Sequence, residues 1–235
     1  MNDNITEIGV GNEPNLYSHP LAKAFLNKVY AWMAASMFLT AAVAVYTTRN
    51  ADLMLWTVDH MCLLCIGTLV LVLIMCFARG ILTAGALGVA LMLFCALEGM
   101  LFGPILTMFT QESLGLTFAC TAGTFGVMSL YGVCTKRDLS PWGRTLCMIL
   151  FGLIICMVVN YFWGNGTFDL IASGVGVVVF SLLTAYDTQK ILREGLATEG
   201  EERAKGAIMG ALALYLDFIN LFLYLLRFLG ERTND

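Results

Sequence analysis

Four ionisable side chains lie inside long apolar stretches of the 235-residue sequence: Glu98, Asp187, Asp217 and Arg227. A charged group at membrane depth is costly and is read first as functional. Asp217 is the sharpest of the four. It falls well inside its apolar segment, in Leu-Tyr-Leu-Asp-Phe-Ile-Asn. At ~1.5 Å per residue, ten residues of helix place it roughly 15 Å deep, near a bilayer midplane. Gly206, Gly210, Ala213, Asp217, Asn220, Tyr224 and Arg227 alternate spacings of four and three, which puts them on one helix face. The opposite face is Leu, Ile and Phe. Such a seam belongs in a bundle interior or along a water-lined path. The plainer alternative is an interhelical hydrogen-bonding network that holds the bundle together.

Asp187 closes another apolar stretch, in Thr-Ala-Tyr-Asp-Thr-Gln-Lys, with Thr184, Phe180 and Ser173 on its face. An acid near a helix C-terminus opposes the macrodipole, and Lys190 at i+3 offsets part of that cost. Alone, Asp187 reads equally well as a solvated helix-end residue. The two aspartates lie on consecutive antiparallel segments and can face each other. Two carboxylates sharing a poorly hydrated site cannot both ionise cheaply, and they titrate as a unit. Such a pair can sense protons or serve as a stepping stone for a cation. Ca²⁺ prefers about six to eight oxygens. Asp187 and Asp217 with Asn220, carbonyls and water make a weak, transient metal site that releases its ion, as conduction requires. Glu98 reads as an acid on the side where an ion enters, or as a neutral bundle residue. Arg227 snorkels to the interface or pairs with an acid. Arg79 is within reach of Asp187.

These residues need a membrane scaffold. The chain is 59% hydrophobic and 13% charged, against about 25% charged in soluble domains. Its net charge of −4 carries no basic excess, so nucleic acid is not expected as a partner. Spans are predicted at about 24–47, 57–78, 81–109, 114–134, 143–163, 168–191 and 207–229. Gly103-Pro104 is expected to end or kink the third. The segments are too long and uninterrupted for barrel strands, and helices are the other solution in lipid. Residues 1–20 read as a disordered cytoplasmic head, 21–230 as one transmembrane domain and 231–235 as a short tail. Ten of the thirteen Lys and Arg fall on the side of the N-terminus, which places that end in the cytoplasm. Seven crossings put the C-terminus outside; a re-entrant last segment is the alternative.

The eight cysteines lie within or beside apolar segments, and Cys62-x-x-Cys65 has no partner pair. They read as small apolar filler, with no disulfides. The pairs Gly99/Gly103, Gly206/Gly210, Gly85/Gly88 and Gly123/Gly126 are expected to let helices approach closely.

Several stretches carry a family resemblance. They are Thr-Ala-Tyr-Asp-Thr-Gln-Lys at 184–190, Leu-Tyr-Leu-Asp-Phe-Ile-Asn-Leu-Phe-Leu at 214–223 and Leu-Leu-Arg-Phe at 225–228. Val-Tyr-Ala-Trp-Met at 29–33, Gly-Val-Met-Ser-Leu-Tyr-Gly at 126–132 and Thr-Lys-Arg-Asp-Leu-Ser at 135–140 agree. Together they resemble the Bax inhibitor-1 family in its short bacterial form. The resemblance implies an all-α integral membrane protein, a seven-helix bundle with two three-helix layers around a central C-terminal helix. It implies a pH-sensitive calcium leak channel of the bacterial inner membrane, gated by the pair matching Asp187 and Asp217. An arginine matching Arg79 latches onto the first aspartate in the closed state, and Arg227 matches the arginine after the last motif. Glu98 matches no fixed family acid.

Three functional classes compete. The first is that channel, with Ca²⁺ as transported ion, protons and the lipid bilayer as partners, and no cofactor. The second is a membrane interaction protein that modulates stress response or membrane-protein quality control without conducting ions. The third, an intramembrane aspartyl protease, lacks Gly-x-Gly-Asp around either aspartate. An enzyme is therefore not expected.

Overall fold

The computed structural model describes residues 20–164 and 166–233; the head expected over residues 1–20 lies almost wholly outside them. Among the described residues the chain folds into eight helices. These are α1 (Pro20–Arg49), α2 (Ala51–Asp59), α3 (Met61–Phe77), α4 (Ala84–Met108), α5 (Gln111–Cys134), α6 (Ser140–Trp163), α7 (Gly166–Ala197) and α8 (Gly200–Leu229). Among the described residues six are long and apolar enough to cross a membrane, and the pair α2–α3, bent by 75°, makes up to seven if it counts as one broken span. The protein is an all-α integral membrane fold.

The second predicted span is corrected by that bend. Residues 57–59 belong to α2, and the chain turns at His60, whose ring stacks on Trp56 at 4.5 Å. The other spans are found, but α7 and α8 run past their apolar stretches into charged sequence. Lys, Arg and Glu are good helix formers, so the backbone continues after hydropathy ends. Gly103-Pro104 does not end α4, which continues to Met108. α8 is one unbroken helix of 30 residues despite Asp217, Asn220 and Arg227. It is long and apolar enough to cross a membrane in one piece, and its end packs beside Phe109 after α4.

α8 is the central element, packed against α1, α4, α5 and α7. To one side stand α1, α3 and α4; to the other α5, α6 and α7. Leu214, Tyr215 and Leu221 of α8 are fully buried. The outward surface is Leu, Ile, Val and Phe, with Phe77 and Ile81 at 85% and 89% exposure. Apolar side chains presented on that scale require lipid as solvent.

Close approach rests on a subset of the glycines. A Cβ on Gly99 would meet the Thr40 carbonyl and Val43 at 2.7 Å, and one on Gly103 would meet Thr47 at 2.7 Å, so α1 and α4 touch there. A Cβ on Gly132 would lie 2.4 Å from the Ala185 carbonyl oxygen, so α5 and α7 touch there. Gly123 and Gly126 have nothing within 4 Å, and Gly85 only Thr83 Oγ1 at 4.0 Å. Their expected packing role is thus overturned; spacing alone does not say which face a glycine occupies.

Candidate functional site: the aspartate pair and its surroundings

α7 and α8 are joined by a tight turn that Gly200 closes at φ 55°, so the two helices run antiparallel side by side. Their register is marked by Gly206 against Glu194, Gly210 against Ile191 and Phe180 stacked on Tyr224 at 5.6 Å. Side chains lean toward the N-terminus of their own helix. Asp187 therefore leans toward the far face, where α7 begins, and Asp217 toward the near face, where α7 turns into α8, and the two carboxyls converge. Each lies within hydrogen-bonding and electrostatic reach of the other. Asp217 is 4% exposed, and its Oδ2 is buried without a hydrogen-bond partner. Asp187 is half-buried, with the exposed Lys190 in electrostatic reach.

Asp187 sits ten residues before the end of α7, about 15 Å along the helix. That depth decides what Arg79 can reach. Arg79, on the turn between α3 and α4, pairs with Glu194, two turns nearer the near face. The expected Arg79–Asp187 contact is absent, because α7 extends past residue 191 and offers Glu194 first. Gly206 leaves the room, since a Cβ there would lie 3.0 Å from Glu194 Oε1.

Glu98 is not part of the pair. It is half-buried on α4, within hydrogen-bonding reach of Thr68 on α3 and electrostatic reach of Cys65, Cys95 and Tyr215. Tyr215 faces that side of α8, bonded to Thr40 at 2.8 Å and edge-on to Phe94 at 5.8 Å. Two residues later, Asp217 faces α7. α8 therefore stands between Glu98 and the pair. Asn220 donates back to the Leu216 carbonyl at 2.8 Å. Arg227, at the far end of α8, lies 3.8 Å from Asp169 and 3.7 Å from Met157 Sδ.

Two polar assemblies brace α7 on either side of Asp187. The first is a chain of hydroxyls. Thr188 donates to the Thr184 carbonyl at 2.7 Å, so its oxygen accepts from Ser129 at 3.1 Å, and Ser129 in turn accepts from Tyr30. One proton per hydroxyl fixes the direction of the chain across α1, α5 and α7. The second is a clamp on the α5–α6 loop. Gln189 accepts the Leu139 N–H at 2.8 Å and donates to the Arg137 carbonyl at 2.8 Å. Arg193 donates to Asp138 at 2.7 Å, to Gln189 at 3.0 Å and to Ser140. The Ser140 N–H and the Arg193 guanidinium hold the Asp138 carboxyl down at about 2, well below the ordinary range. Glu194, Gln189 and Arg193 were not singled out by their types. The available signal was their place in the two turns after Asp187.

Among the described residues no three Asp, Glu, His or Cys side chains gather as a metal site. The pair itself offers carboxylate oxygens to a passing cation and a shared place for a proton.

The family described as "Inhibitor of apoptosis-promoting Bax1" matches residues 22–234. The chain is 41% identical over 216 residues to the inner membrane protein YbhL of Escherichia coli strain K12, covering 89% of this chain and 92% of that one. It is 38% identical over 211 residues to a protein of Deinococcus radiodurans, covering 89% and 91%. A third relative, from Borreliella burgdorferi, is 38% identical over 219 residues, covering 90% and 93%. On the strength of the family match and of these near-complete overlaps, the chain belongs to the Bax inhibitor-1 family.

Proposed function

We propose that the protein is a pH-sensitive calcium leak channel, with Asp187 and Asp217 as its proton sensor and transient ion site. The observation that carries this reading is the juxtaposition of the two carboxyls, with Asp217 Oδ2 buried and unpartnered. A buried carboxylate oxygen without a partner is costly for a fold to hold. Its retention beside a second carboxyl has a purpose if protons or cations come and go there. With a proton shared, the pair is satisfied and the helices stay closed. With both carboxylates ionised, repulsion drives α7 from α8, or a cation enters to neutralise them. Two carboxylates bind Ca²⁺ weakly, which suits transit.

The protein acts in this reading in the inner membrane of a bacterium, where its relative YbhL resides by name, with the near face cytoplasmic. Arg227 and Asp169 stand at the far opening, and Glu98 is a separate acid across α8. No cofactor is called for, and no enzymatic step. The test is Ca²⁺ flux into dye-loaded liposomes carrying the purified protein. Flux above that of empty liposomes supports the channel. Its absence, with the protein folded and inserted, moves the assignment to a non-conducting interaction protein.

A further inference from the structure

A furrow of about 440 Å³ runs along the bundle surface at the near face, between α1, the first turns of α4 and the start of α8. Gly85, Gly88, Val89 and Met92 of α4 form one wall, Trp32 of α1 the other, and Ile208 lines it from α8. Gly85 leaves the floor empty, its nearest would-be contact being Thr83 Oγ1 at 4.0 Å; Gly88 takes the edge of the Trp32 indole at 3.0 Å. The furrow opens outward, with Val89 at 71% exposure. From Ala84 to Met92 it extends ~12 Å into the membrane. Among the described residues, Lys28, one turn before Trp32, is the one charged residue that lines it. Lys28 is exposed, and among the described residues it forms no ion pair. Glu201 of α8 accepts the Ala84 N–H at 3.3 Å, so its charge is directed at the positive end of α4.

We infer that this furrow is a binding site for one anionic phospholipid of the near leaflet. Its phosphate sits against the Lys28 ammonium and one acyl chain lies along Gly85, Gly88 and Met92 beneath Trp32. Lipid is the occupant because the furrow is apolar along its length and open to hydrocarbon. A headgroup of negative charge is selected because the one charge at the mouth among the described residues is a cation that forms no ion pair with them. Trp32 stands where an aromatic belt residue marks the interface.

The Trp32 indole makes the test direct. Trp56, Trp142 and Trp163 are replaced by Phe, and the protein is reconstituted in vesicles with increasing brominated phosphatidylglycerol or brominated phosphatidylcholine. The expected result is half-maximal quenching of Trp32 at about fivefold lower mole fraction of the anionic lipid, the ratio given by ~1 kcal/mol per basic residue at a lipid surface. In Lys28→Gln, an exposed position, the preference disappears while quenching remains. In Gly85→Leu both lipids quench less. Equal quenching by the two lipids in the Lys28 protein overturns the proposal, as does a preference that survives Lys28→Gln. Quenching by neither lipid also overturns it and indicates that a second copy covers the furrow.

Discussion

Arg79 pairs with Glu194 two turns of α7 away from Asp187, so the ion pair and the aspartate pair occupy different levels of the same helix. Arg79 and Glu194 are 31% and 23% exposed in their side chains. A partly buried pair of this kind contributes about 1 kcal/mol. The double-mutant cycle Arg79→Ala with Glu194→Gln should show coupling of about 0.5–1 kcal/mol in thermal or denaturant unfolding. Arg79→Ala with Asp187→Asn should be additive in the same assay. Coupling in the second cycle and none in the first would place the arginine on the aspartate.

The contact of α5 with α7 depends on Gly132. Its hydrogen faces the Ala185 backbone, and a methyl there would lie 2.4 Å from the carbonyl oxygen. Backbone cannot rotate aside, so Gly132→Ala should cost about 1–3 kcal/mol. Gly123→Ala, on an open helix face, should be neutral or stabilise by up to ~1 kcal/mol. Melting temperatures in detergent separate the two, and equal effects would contradict the packing described.

Gln189 satisfies two backbone groups of the α5–α6 loop at once. Gln189→Leu leaves the Leu139 N–H and the Arg137 carbonyl without it, at about 1–3 kcal/mol for each group that water does not reach. The loop should become susceptible to protease near Arg137 while the helices stay folded. A cleavage rate unchanged from wild type would show that the clamp does not hold the loop.

Asp138 separates this clamp from any pH response. Its carboxyl is held at about 2 by the Ser140 N–H and Arg193, below its unfolded value of about 3.9. A lowered acid stabilises above the unfolded value, and that contribution is lost as pH falls through the folded one. Between about pH 6 and 8 Asp138 stays ionised, so Asp138→Asn should leave the midpoint of pH-dependent flux where it is. A moved midpoint would make the loop clamp part of the sensor.

The membrane class, the six long apolar helices and the seam that carries Asp217 were legible from the sequence. Hydropathy registers crossings directly, and the four-three seam on α8 fixes which face carries Asp217. The bend at His60 was not legible, because mostly apolar sequence flanks the Asp59-His60 corner on both sides. The partner of Arg79 was missed for a related reason. Hydropathy ends α7 near residue 191, whereas helix propensity carries it to Ala197 and brings Glu194 into range. Glycine spacing identified the α1–α4 contact at Gly99 and Gly103 but equally marked Gly123 and Gly126, which face outward. Periodicity defines a face; it does not say what the face meets.

The central claim rests on the carboxyl pair. The most direct measurement is Ca²⁺ flux into dye-loaded liposomes across about pH 6 to 8. Wild type, Asp187→Asn and Asp217→Asn are compared at equal, verified insertion. The account predicts protein-dependent flux whose pH profile shifts or flattens in each variant, because either substitution leaves one carboxyl to titrate alone. Flux with an unchanged pH profile in both variants would contradict it.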